Sequence, residues 1–156
     1  MAKEGFTATD SLQTLLTQLI ETHRSELVNR YQQVLREGLF NSRALVRPSM
    51  LKTIASDEVD TFGNFLHLSP QHALNRGVQL YHTGLGEQPM LRMSQVTRQF
   101  FVTHLDNGQI GAALEVIDAY QERVVQGFIQ SLEKAIISEQ ERTRHAFERV
   151  TDRDKS

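Results

Sequence analysis

Ile110, Leu114, Ile117, Val124, Val125, Phe128, Leu132 and Ile136 fall at the three-and-four spacing of a single helical face. The stripe continues more thinly through Thr143, Phe147 and Val150, set among charged residues. This spacing predicts one helix from Asn107 or Gly108 to Val150. About 40 helical residues span ~60 Å, roughly twice the ~30 Å diameter of a small domain. Part of such a helix must project or pair, and the simplest partner is the same helix in a second copy of the chain. A homodimer is therefore expected, with Leu114, Ile117, Val124, Phe128, Leu132 and Ile136 as its seam, although the same run can serve the intramolecular core, or both by different faces. Val125, Ile129, Ile136 and Ile137 widen the stripe beyond a narrow coiled-coil seam, which favours a bundle interior over a simple zipper.

The rest of the chain repeats the helical period. Asp10 or Ser11 can cap a run through Leu12, Leu15, Leu16, Leu19 and Ile20, which resumes at Leu27, Val28, Tyr31, Val34 and Leu35. The spacing predicts one long helix or two with a bend near residues 22–24, stopping at Gly38. Pro48 suits the first turn of a helix to about His67 that turns Leu51, Ile54, Val59, Phe62, Phe65 and Leu66 inward. Ser69 and Pro70 suit the start of a third helix, which "TGLGEQP" ends after Tyr81, and a fourth runs from about Pro89 to Leu105. In "DNG", residues 106–108, Asn and Gly tolerate the positive φ of a tight turn. No segment alternates with period two. The expected fold is all-α, five or six helices with a long C-terminal one, divided into a domain over 1–137 and a helical extension over 138–156.

Composition narrows the function classes. The 156 residues suit one domain, and the formal charge of −2, with signs intermixed, offers no basic face to nucleic acid. Cysteine is absent, which excludes disulfides, thiolate metal sites and cysteine nucleophiles. No apolar run reaches the ~18 residues of a membrane span, and "MAKEGFTATD" lacks the apolar core of a secretion signal. A cytoplasmic location is expected.

No catalytic constellation emerges. Gly84 and Gly86 lack the Lys-Ser/Thr of a phosphate loop, Ser69 and Ser94 read as helix caps or first-turn residues, and Asp57, Glu58 and Asp60 read as the polar side of an amphipathic helix. None of the six histidines is spaced as a metal motif: His67 and His72 are separated by Pro70, and His23, His82, His104 and His145 stand alone. No metal is expected, although ligands from separate helices can converge without leaving a motif. His82 and His104, at the ends of the third and fourth helices, are the candidate axial ligands should a haem be bound. Phe62, Phe65, Phe100, Phe101, Tyr120 and Phe128 read as core by their spacing, with a small-molecule cavity as the alternative.

The stretch "RQFFVTHLDNGQIGAALEVIDAYQERVVQGFIQSLEKAIISEQERTRHAFERV", with "LIETHRSELVNRYQQVL" before it, resembles the N-terminal sensor domains of RsbR-type co-antagonists of bacterial stress signalling. The likeness covers most of the chain in helical order. It implies a globin-like domain without haem that dimerises through its helices and passes a signal along its C-terminal helix to a STAS output domain. No STAS segment follows Ser156 in this sequence, so the expected output is a separate STAS, kinase or phosphatase partner, or a domain from which this one was excised. The reading is a non-enzymatic input domain without cofactor; the alternative is a haem-binding gas or redox sensor.

Overall fold

The computed structural model describes residues 2–41, 46–67 and 70–155, with side chains described for 11–38, 46–67 and 70–154. Among these residues there are six α-helices and no strand. They are α1 (Ala2–Thr22), α2 (Arg24–Asn41), α3 (Leu51–Phe65), α4 (Gln71–His82), α5 (Glu87–His104) and α6 (Asn107–Lys155); a 3₁₀ turn, Pro48–Met50, leads into α3. The fold is an all-α bundle with a long C-terminal helix.

Helices α1 and α2 are separated at His23 alone. Hydrogen bonding persists across the junction, from the His23 N–H to the Leu19 carbonyl (3.0 Å) and from the Leu27 N–H to that of His23 (3.0 Å). Gly38 does not end α2, which runs on to Asn41. An isolated helical glycine costs only about 1 kcal/mol, and this one is buried close to Pro89. Gly84 does act as a stop. Its φ of 85° suits the left-handed position after α4, with its N–H bonded to the Tyr81 carbonyl (3.1 Å) and that of Leu85 to Leu80 (3.3 Å). This is a Schellman closure, and Leu80 and Leu85 bury its apolar contact. Helix α5 begins at Glu87, two residues before Pro89, because a first-turn N–H has no intrahelical acceptor to lose. The turn into α6 needs no positive φ at Asn107 or Gly108; Leu105 turns extended (φ −106°, ψ 152°) and breaks the helix there. The expected cap at Ser69 lies outside the described residues.

Helix α2 packs on both α3 and α5, while α4 lies along α6. The α4–α6 crossing is close because two glycines meet it. A Cβ on Gly77 would stand 1.9 Å from the Val124 carbonyl oxygen, and one on Gly127 would stand 2.0 Å from that of Leu74. Between α2, α3, α5 and α6, Tyr31, Phe62, Phe100, Phe101 and Tyr120 are buried against one another. Phe62 meets Tyr120 at 5.0 Å and 82°, and Phe100 meets Phe101 at 5.0 Å and 83°, the edge-to-face geometry aromatic rings favour.

Candidate functional site

Three features of the molecule stand apart from ordinary core and surface. The first is the distal part of α6. The last buried residue of α6 among those described is Ser131, and every described residue from Ile136 onward is exposed. Helix α6 nevertheless continues to Lys155, so ~30 Å of helix extends beyond the bundle. Ile129, Leu132, Ile136 and Ile137 are exposed apolar residues at its departure, and Phe147 (73% exposed) and Val150 (57%) stand farther along. The polar side of this segment carries local pairs, Glu139 with Arg142 (3.8 Å), Arg144 with Glu148 (3.8 Å) and His145 with Glu148 (3.7 Å). Such exposed pairs add little stability.

Most of the residues expected to form a seam are therefore taken up by the chain's own bundle. Ile117, Val124 and Phe128 are buried in the chain's own core, and Leu114 packs partly against it. Of the six expected seam residues, Leu132 and Ile136 remain free on the surface. The cause is α4: its glycine-mediated approach covers the middle of α6.

The second feature is a buried polar network joining α3, α4 and α6. The Arg76 guanidinium donates from Nε to the Glu58 carboxylate (2.8 Å), from NH1 to Gln79 (2.9 Å) and from NH2 to the Ile54 carbonyl (2.9 Å). The Tyr120 hydroxyl donates to the other Glu58 oxygen (3.0 Å). Glu58 is thus not a solvated residue, as its acidic neighbourhood suggests, but the acceptor at the centre of the bundle. Nearby, the Thr97 hydroxyl donates to the Met93 carbonyl (3.0 Å), which leaves the Tyr31 hydroxyl to donate to Thr97 (2.5 Å). Burial, and secondarily the Glu58 charge, pushes both the Tyr31 and Tyr120 phenols well above the ordinary tyrosine range. These groups bond to one another and to backbone carbonyls inside the bundle, so the network ties α3, α4 and α6 together.

The third feature is a convergence of His23, Glu26 and His104. His23 sits at the α1–α2 junction, Glu26 lies one turn later on the same face, and His104 ends α5. The two imidazoles stack at 4.1 Å between centroids and 27° between planes, and Phe100 packs against both. The sequence shows His23 and His104 as isolated residues 81 positions apart; only the packing of α5 on α2 joins them.

The two histidines singled out as possible haem ligands are not brought together. His82 is exposed and lines an open cleft of about 760 Å³ with Tyr81, Leu85, Pro89, Phe128 and Leu132. The His104 Nε2 faces the Glu26 carboxylate at 3.5 Å. A porphyrin needs an apolar slot in front of its axial nitrogen; the His104 nitrogen has a carboxylate beside it, while His82 borders the cleft. Of the aromatic residues that might line a cavity, Phe62, Phe100, Phe101 and Tyr120 fill the core, while Phe65 borders a small apolar cleft of about 220 Å³ with Leu12, Leu16 and Val116. No helix among the described residues is long and apolar enough to cross a membrane. Comparison with protein-family models, with curated proteins and with solved structures finds no match.

Proposed function

We propose that this chain is a non-enzymatic signalling input domain of the RsbR type, cytoplasmic, globin-like and homodimeric, whose output passes along the distal part of α6. One observation carries the reading: a helix of 49 residues whose last 20 or so bury nothing of their own bundle yet keep an apolar stripe. The packed half of α6 nucleates this segment, but with nothing covering its apolar stripe it frays from the free end, and a partner on that stripe would hold it.

The residues support a second copy in parallel. Ile129, Ile136, Thr143 and Val150 recur every seven residues, with Leu132 and Ala146 in the complementary positions and Glu139 the one polar interruption between them. Beta-branched residues at the first of these heptad positions, with Leu at the second, favour two-stranded coiled coils. Phe147, beside Ala146, then flanks the seam. In this arrangement a change in packing of α4 against α6 reaches the paired extension directly, and a STAS, kinase or phosphatase partner reads it there.

Light scattering of the purified full chain tests the proposal. A dimer is expected at tens of micromolar, and a monomer with intact helicity at that concentration overturns it.

A further inference from the structure

From the convergence of His23, Glu26 and His104 we infer a binding site for a divalent transition-metal cation of the Zn²⁺ type, held by two imidazole nitrogens and one carboxylate oxygen, with a fourth position left to water. The donor atoms all lie within 4.8 Å of one another. Glu26 Oε2 stands 3.5 Å from His23 Nδ1 and 3.5 Å from His104 Nε2. A tetrahedral ion with bonds of ~2.1 Å separates its ligand atoms by ~3.4 Å, so the two carboxylate–imidazole separations suit an ion, and the stacked rings (4.1 Å, 27°) turn from their stack to aim both nitrogens at it.

The same contacts are poor as anything else. At 3.5 Å the carboxylate is too far from either ring for a good hydrogen bond, and His104 Nε2 is buried with no hydrogen-bond partner. A buried ring nitrogen 3.5 Å from a carboxylate and without a hydrogen-bond partner has a coordination position that a cation can fill. The donors are also well supported. Phe100 packs against both rings, buried Leu27 follows Glu26, and buried Leu105 follows His104. Glu26 and the outer part of His23 remain open to solvent, which provides an entry path and room for a water ligand.

Donor chemistry selects the ion. Two imidazoles disfavour Mg²⁺ and Ca²⁺, which take oxygen ligands, and suit zinc and its neighbours; one carboxylate leaves the loaded site with a single net positive charge. Because the ligands come from the α1–α2 junction and the end of α5, the cation would tie the N-terminal helix pair to the turn that launches α6. This inference is independent of self-association.

The test is calorimetric titration of the full chain with ZnCl₂, repeated with MgCl₂, on the wild type and on His23→Ala, Glu26→Gln, His104→Ala and His145→Ala. One saturable Zn²⁺ site per chain is expected, weakened at least about 100-fold in His23→Ala and His104→Ala and unchanged in His145→Ala, with no comparable Mg²⁺ binding. Failure of the wild type to saturate with ZnCl₂, or equal affinity in the wild type and both alanine variants, overturns the site. Should a variant not fold, histidine ring resonances of the wild type decide: Zn²⁺ must shift those of His23 and His104, and shifts confined to His67, His72, His82 or His145 overturn the inference.

Discussion

Gly77 and Gly127 allow α4 to approach α6 closely, and their side-chain hydrogen atoms face carbonyl oxygens across the crossing. Gly127→Ala should cost about 3 kcal/mol, lowering Tm by roughly 6–12 °C, because backbone rather than a flexible side chain must move; thermal unfolding by circular dichroism measures it. At the Glu58–Arg76 pair, removal of one partner strands a buried charge. Glu58→Ala should destabilise by about 3–5 kcal/mol, and the double variant Glu58→Leu/Arg76→Met by less than that; urea unfolding of the set is the check, and a double variant worse than either single would contradict it. The buried phenols set an alkaline limit. Folding raises the proton affinity of Tyr31 and Tyr120, so their contribution is complete below the ordinary tyrosine value of about 10 and is lost as pH rises from there toward the folded values. Urea midpoints should therefore fall above about pH 10, with a shallower fall in Tyr31→Phe.

Helix α6 carries two apolar faces, one buried through Ile117, Val124 and Phe128 and one exposed through Ile129, Leu132 and Ile136. From Ala113 to Ser131 its inward face is closed by the bundle, and from Ile136 onward the stripe faces solvent. If the extension pairs in parallel and in register, Thr143 faces its own copy and Glu141 points away. The chain has no cysteine, so single-cysteine variants report this without background. Thr143→Cys should oxidise to a disulfide-linked dimer, since such core positions approach within the ~4.4–6.8 Å Cα range a disulfide spans, whereas Glu141→Cys should not. The opposite pattern on non-reducing electrophoresis would rule out the register.

For the whole molecule, the bundle and the extension should separate in solution behaviour. Because nothing described beyond Ser131 is buried, a chain ending at Ile137 keeps the entire described core. It should fold with a Tm independent of concentration, while the Tm of the full chain rises with concentration as mass action requires of a dimer. Scanning calorimetry over a range of protein concentrations distinguishes the two. A full chain whose Tm does not respond would leave the extension without a partner.

Periodicity made the helices legible because an amphipathic helix needs only local spacing to declare its face: of the residues read as inward, Leu51, Ile54, Val59, Phe62 and Leu66 are buried and Phe65 is half-buried. The projecting end was legible too, since helix length follows from residue count. Contacts between helices were not. Glu58 looks like any acidic residue on a polar face until Arg76 and Tyr120 arrive from other helices, and Ile117, Val124 and Phe128 could serve a seam or a core equally well until α4 covers them. His23 and His104 carry no spacing that relates them. Sequence by itself determined which faces are apolar and that the last helix outruns the bundle, because both depend on neighbours along the chain, though not that it continues past Val150 to Lys155. Tertiary structure alone decided which apolar face was already covered, which charge was buried, and which isolated histidines met, because those depend on residues that only packing brings within reach.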